Sequence, residues 1–285
     1  MWNSYPATIT TPFLETTELE NLLIYLNRVH QIDLTGYKRS TLMRRILVRM
    51  QRIGVEIYRD YLRCLQQQSD EVRYLLNTIY INFTYFFRDP LVWSYLAEQV
   101  IPQAIANKAP DQPIRIWSVG CASGEETYSL AMLFIEALGV EAFQQQVKIY
   151  GTDVDPEAIQ QAREGCYPAQ KVALVPSDVQ DLYFERRDEV FYWRQDFRHS
   201  IRFQVHNLLQ DPPLPHIDLL VCRNLLIYFT PETQLQALSS LYSSLKDDGF
   251  LLLGNVENLV TPSERSLFTS ASQQHKVFTK VPGAK

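Results

Sequence analysis

Ile114–Ser129, IRIWSVGCASGEETYS, is the stretch that decides the fold of this chain. Ile114–Val119 reads as a buried strand, Gly120–Gly124 as a glycine turn, and a helix opens behind it on Glu125 and Glu126. Strand, glycine turn and helix in that order present a nucleotide-like ligand at the carboxyl edge of an α/β sheet. The acidic helix start selects among such ligands. A helix N-terminus favours anions such as phosphate, but two carboxylates there repel a pyrophosphate. They suit a ligand that carries positive charge. S-adenosylmethionine has both an ammonium and a sulfonium, so the motif points to a methyl donor rather than to NAD or ATP.

Downstream of this motif strands and helices alternate. Strand Val147–Thr152 leads to helix Pro156–Glu164, and strand Ile217–Cys222 to helix Pro231–Leu245; strands follow at Phe250–Leu253 and near Lys276–Thr279. Such alternation implies a mostly parallel sheet wrapped by helices. Tyr183–Val205 breaks the rhythm: Glu189–Arg194 and Ile201–Val205 read as a small β subdomain, about residues 183–205, inserted into the α/β domain. Upstream, residues 17–106 read as helical. Thr17-Glu18-Leu19-Glu20 has capping-box spacing ahead of Leu19, Leu22, Leu23, Leu26 and Val29. Further helices are predicted at Ser40–Ile53, closed by Gly54, and near Glu56–Gln67 and Asp70–Tyr80. The polar segment 107–113 contains two prolines and reads as the linker, leaving 114–285 as the α/β domain.

Composition narrows the function. A chain of 285 residues, 46% hydrophobic and 21% charged, has the make-up of a soluble globular protein. It has no apolar run long enough for a membrane helix, and its start, MWNSYPATITTPF, lacks the basic and apolar regions of a secretory signal. Cys64, Cys121, Cys166 and Cys222 are far apart, without C-x-x-C spacing, and no histidine stands at metal-ligand spacing. Reduced thiols, no metal and a cytoplasmic location are the expectation. The net charge of −5 argues against a dedicated nucleic-acid binder. Yet Tyr37–Arg63 holds eight basic residues against two acidic ones. An acidic protein with such a patch meets an acidic macromolecular partner through it, although a solvated helix face is the plainer reading.

Several polar residues stand where a ligand would be met. Gly120 belongs to the turn itself. Asp153 ends the second strand, where an acidic residue commonly takes ribose hydroxyls; the competing reading is a helix cap, for which Asp155 is the better candidate. Asn224 follows the apolar strand Ile217–Cys222, and Asn207 sits similarly after Ile201–His206. Either amide can serve a ligand or close a turn.

Four segments then resemble the CheR family of bacterial chemotaxis-receptor methyltransferases. They are Asn82-Phe83-Thr84-Tyr85-Phe86-Phe87-Arg88, Trp117–Ser129, Thr152-Asp153-Val154-Asp155 and Cys222-Arg223-Asn224-Leu225-Leu226-Ile227-Tyr228-Phe229, in the family's order. The resemblance implies an all-α N-terminal domain, a linker and a class I S-adenosylmethionine-dependent methyltransferase domain with an inserted β subdomain. It implies that Asn82, Thr84 and Arg88 contact the cofactor, with Glu125, Asp153, Asn207, Leu208, Asn224 and Leu225 completing the site. Arg88 suits the cofactor's carboxylate, or pairs with Asp89. The implied reaction methylates glutamates of the chemoreceptor's cytoplasmic helical bundle and leaves S-adenosylhomocysteine. No catalytic acid or base is expected; Arg88 and Tyr228 are candidates for alignment. Arg44, Arg45, Arg49 and Arg52 resemble the family's receptor-facing helix.

Two departures from the family pattern stand out. Gly254-Asn255-Val256-Glu257-Asn258 replaces Gly-x-Ser-Glu-Asn, and the segment Phe184–Glu189 lacks the glycine found in members that bind a receptor pentapeptide. Independence from such a tether is therefore expected. Two other readings stay open: a class I methyltransferase of nucleic acid using the Arg44–Arg52 face, and a non-catalytic regulator that senses S-adenosylmethionine.

Overall fold

The computed structural model describes residues 12–109 and 112–283. The reading of the chain's first residues as no signal peptide, and part of the 107–113 linker, therefore lie outside the described residues. The chain divides into two compact units.

One unit is helical and ends at Ile81, and it also takes in Tyr228–Thr230. Its helices are α1 (Pro12–His30), α2 (Arg39–Arg52), α3 (Tyr58–Gln67) and α4 (Glu71–Ile79). Their apolar faces make one core, with Leu22, Leu26, Leu42, Ile46, Tyr61 and Leu75 fully buried. Gly54, at φ +70°, closes α2 as expected. The expected capping box at Thr17 is not a cap, because α1 already runs through it, and Val29 faces solvent. Tyr228–Thr230 joins this unit through the backbone: Lys38 N–H donates to Tyr228 O and Thr230 N–H to Gly36 O.

The second unit begins at Asn82, which corrects the expected boundary at 107–113. The reason is apolar burial. Helices α5 (Pro90–Tyr95) and α6 (Ile101–Ala106), joined by a π-helical turn, place Trp93, Leu96, Val100 and Ile101 in the same core as Ile116 and Phe134. A proline-containing polar stretch can cross a surface without separating two cores.

The seven-stranded sheet of this unit has the order β6-β2-β1-β7-β8-β10-β9. The strands are β1 (Ile114–Val119), β2 (Val147–Asp153), β6 (Ile201–Val205), β7 (Ile217–Cys222), β8 (Leu245–Leu253), β9 (Phe268–Ser272) and β10 (Val277–Lys280). The pairs from β6 through β8 are parallel, and β10 runs antiparallel to both β8 and β9. The remaining strands, β3 (Cys166–Pro168), β4 (Phe184–Arg187) and β5 (Val190–Trp193), form a separate antiparallel sheet. The β subdomain thus starts earlier than expected and excludes Ile201–Val205, which pairs in parallel with β2 as an edge of the main sheet. Most of the Phe184–Glu189 segment is strand: only Asp188 and Glu189 turn the β4–β5 hairpin. No described helix is long and apolar enough to cross a membrane.

Candidate active site

Chain order reverses at β1. Its successor β2 lies on one side and β7 on the other, so the loops after β1 and β7 part at the carboxyl edge and leave the crevice typical of open α/β sheets. Gly120 makes the first turn possible. It sits at φ +70°, its N–H donates to Thr152 O at 2.7 Å, and a Cβ there would come within 3.1 Å of Leu225. Ala122 and Asn224 also hold positive φ, as do Phe87 and Asp89. Backbone strain of this kind gathers at ligand sites and persists only where the surroundings enforce it.

Here the enforcement comes from carboxylates. Asp153 accepts from Ala122 N–H and from Asp155 N–H, both at 2.9 Å, tying the β2 end to the glycine turn. Burial pushes its carboxyl up, and those backbone donors oppose the shift. Asp155 caps the next helix through Glu157 N–H and also accepts from Asn82 Nδ2, which brings Asn82 to this loop. Glu257 does most. Its Oε2 accepts from Gly254 N–H and Asn224 N–H, and its Oε1 from Leu225 N–H and Leu226 N–H, at 2.7–2.9 Å. One buried carboxylate therefore shapes the whole Asn224–Leu226 turn. A Cβ on Gly254 would fall 2.7 Å from Glu257 Oε2, so glycine is required for the approach.

The two glutamates that open helix α7 (Glu125–Leu138) separate in role. Glu126 accepts from Ser118 Oγ and from the Arg223 guanidinium, so it does not offer free charge to a ligand. Burial pushes its carboxyl up, against the pull of Arg223. Arg223 is itself buried; it also reaches Asp89 Oδ2 at 2.6 Å and Arg88 O at 2.9 Å, and lies over the Trp93 ring. That ties the Asn82–Asp89 segment to the β7 loop. Glu125 has no exposed surface; Ser123 Oγ donates to it at 2.7 Å, and the Lys171 ammonium contacts its other oxygen.

The other expected residues fall as follows. Arg88 does not pair with Asp89; its guanidinium donates to Phe83 O and lies against the Phe83 and Tyr85 rings. Thr84 is half-buried in the same segment. Asn207 Oδ1 accepts from Leu209 N–H, closing a turn beside buried Leu208, while His206 N–H donates to Asp153 O. In the helical unit Arg44 and Arg52 are exposed. Arg49 is not available to a partner: it makes two hydrogen bonds to Glu71, which Tyr61 also contacts. That corrects its expected substrate role, because a buried carboxylate has claimed the guanidinium. Tyr228 groups with the helical unit.

Sequence reasoning missed Arg223, Glu257 and Lys171 as site residues. An arginine directly after a mostly apolar strand, and the glutamate retained in a departing Gly254–Asn258 motif, were the available signals. The departure is also explained: Asn255 and Val256 face solvent while Glu257 keeps the bonds.

The assembled donor set fits S-adenosylmethionine: a buried carboxylate for a cation, a second for hydroxyls, a close glycine turn, and apolar Leu208 and Leu225. Fold and site together define a class I methyltransferase with S-adenosylmethionine as cofactor. Residues 17–80 match "CheR methyltransferase, all-alpha domain" and residues 82–277 "CheR methyltransferase, SAM binding domain". The chain belongs to the CheR methyltransferase family. It is 31% identical over 256 residues to the chemotaxis protein methyltransferase of Listeria monocytogenes, covering 88% of this chain and 95% of that one. To the chemotaxis protein methyltransferase of Escherichia coli K12 it is 30% identical over 276 residues, covering 90% and 93%. An uncharacterised 104.1 kDa protein of Rhodobacter capsulatus is 36% identical over 273 residues; the match spans 95% of this chain but 28% of that protein's length.

Proposed function

We propose that this protein transfers the methyl group of S-adenosylmethionine to side-chain carboxylates of glutamates on the helical cytoplasmic bundle of chemoreceptors. The products are a glutamate methyl ester and S-adenosylhomocysteine. The observation that carries the reading is the meeting of Gly120, Glu125, Asp153 and the Glu257-held Asn224–Leu225 turn at one sheet edge, in a chain of the CheR family.

Bound, the cofactor supplies an electrophilic methyl on a sulfonium leaving group. The acceptor glutamate, with an ordinary pKa of about 4.3, is already an anion at neutral pH. The protein's work is then to bind, orient and exclude water; alignment alone can contribute roughly 7–11 kcal/mol. Glu125 takes the cofactor's cation and Asp153 its ribose hydroxyls. Asn82, Thr84 and Arg88 close the site from the upstream segment, with Arg88 on the carboxylate. Asn207, Leu208, Asn224 and Leu225 wall the base. Arg44, Arg45 and Arg52 present positive charge to an acidic receptor bundle. The two-residue turn at Asp188-Glu189 leaves little loop for a tether peptide. Receptor methylation here therefore proceeds without a pentapeptide tether, and micromolar binding of such a peptide to the protein would contradict this.

The deciding assay incubates the protein with methyl-labelled cofactor and a receptor cytoplasmic fragment. Label released as methanol by mild base is the expected result; base-stable label, or none, overturns the reading. Asp153→Ala should weaken cofactor binding by about ten- to a hundredfold, the worth of hydrogen bonds to a charged group, as measured by calorimetry. The cofactor's hydroxyls require the Asp153 carboxylate ionised. Wild-type affinity should thus fall as pH drops through the raised Asp153 value, and the variant should lose that dependence. Stability runs the other way. A carboxyl raised in the folded state gives stability that is lost as pH rises through its folded value.

A further inference from the structure

We propose that Lys171 is a displaceable counter-ion built into the cofactor site, holding on Glu125 the place that the cofactor's ammonium takes. The inference rests on the reading of Glu125 as a cofactor ligand. The Glu125 carboxylate has 0% exposure, whereas the Lys171 side chain is 39% exposed and reaches inward from the short helix Ala169–Val172. An ionised carboxylate with no solvent needs a cation beside it. Among the described residues Lys171 is the one cation in ion-pair contact with Glu125. The other titratable groups facing it cannot take that part. Burial pushes up the Tyr128 and Tyr167 hydroxyls and the Cys121 thiol, which keeps all three neutral. The two tyrosine hydrogens are also committed: Tyr167 Oη donates to Ser123 O and Tyr128 Oη to Ala162 O. Asp153 is an acid, and Glu126 is answered by Arg223.

The two cations of this site are held differently. Arg223 is locked by two carboxylates and a carbonyl. Lys171 has the Glu125 contact, a long 3.5 Å approach to Ser123 Oγ and the Tyr167 ring at 5.9 Å. A lysine on a flexible stem can leave for solvent. A second ammonium arriving at Glu125 meets a like charge, and the mobile one yields. The consequence is selectivity: a ligand that brings its own ammonium replaces Lys171 without stranding Glu125, whereas a nucleoside lacking one cannot.

Calorimetry on the full chain with S-adenosylhomocysteine tests this. At pH 8.5, Lys171→Met should bind about tenfold more tightly than wild type, since no rival cation is displaced. Lys171→Arg, which keeps a cation on Glu125, should bind like wild type, and 5′-methylthioadenosine, which lacks the ammonium, should bind wild type and Lys171→Met alike. A merely structural role for Lys171 produces no such split between the two ligands. Weaker or unchanged S-adenosylhomocysteine binding by Lys171→Met overturns the proposal. If Glu125→Gln leaves S-adenosylhomocysteine affinity unchanged, the assignment of Glu125 itself has failed, and the proposal falls with it.

Discussion

Replacing Glu257 with alanine should abolish measurable cofactor binding and lower the melting temperature. The side chain is buried, and its two oxygens satisfy the backbone N–H groups of Gly254, Asn224, Leu225 and Leu226. Gly254 and Leu226 are buried, so truncation strands their donors, at a cost of about 1–3 kcal/mol each. Asn224 and Leu225 are half-exposed and can turn to water instead. That release is what affects binding, because Asn224 sits at positive φ with its N–H held by Glu257. Glu257→Gln separates the two effects. A carboxamide keeps the volume but turns an N–H₂ toward backbone donors. Its affinity for S-adenosylhomocysteine should drop by about a hundredfold, the equivalent of ~3 kcal/mol, while its melting temperature stays within a few degrees of wild type. Calorimetric titration beside a thermal melt reads both. Unchanged affinity in Glu257→Gln would show that the turn holds its shape without the carboxylate.

What could be read from sequence follows the range of the interactions involved. Strand Ile114–Val119 and the opening of the next helix at Glu125 are predicted to the residue, because a buried strand, a glycine turn and a charged helix start are local signals. Ile201–Val205 is predicted as a strand and placed in the wrong sheet. Its composition sets its conformation, but its partner β2 lies some fifty residues away, and nothing local names it. The domain boundary fails for a related reason. Prolines near Ala109 look like a linker, and only the burial of Trp93, Leu96 and Ile101 reveals which core the preceding helices serve. At the site, Gly120, Asp153 and Asn224 are legible as strand-end residues. Glu257 and Arg223 act on backbone and side chains far along the chain, and their importance appears only in three dimensions.

The arginines of α2 give the second large expectation, and they divide. Arg49 is 15% exposed and Glu71 2%, with Tyr61 Oη donating to the same carboxylate at 2.9 Å. Hydrogen bonding to Glu71 raises the guanidinium's own pKa, as a firmly held pair should. Arg49→Met leaves a buried carboxylate uncompensated, and breaking such a pair costs about 3–5 kcal/mol. In a chain of this size that corresponds to a melting temperature lower by roughly 6–20 °C. Removing the charge on both sides tests the cause: Arg49→Met with Glu71→Met should recover most of the loss, since an apolar pair of similar volume is often neutral or stabilising. Arg44→Ala with Arg52→Ala should behave oppositely. Both side chains are exposed, so the melt should barely move, because surface substitutions are usually within about 0.5 kcal/mol. Their effect should appear as a lower kcat/KM for the receptor fragment and a weaker dependence of that rate on salt, since the lost charges steer an acidic partner. If Arg49→Met melted like wild type, the Glu71 pair would be dispensable and Arg49 would return to the receptor-facing set.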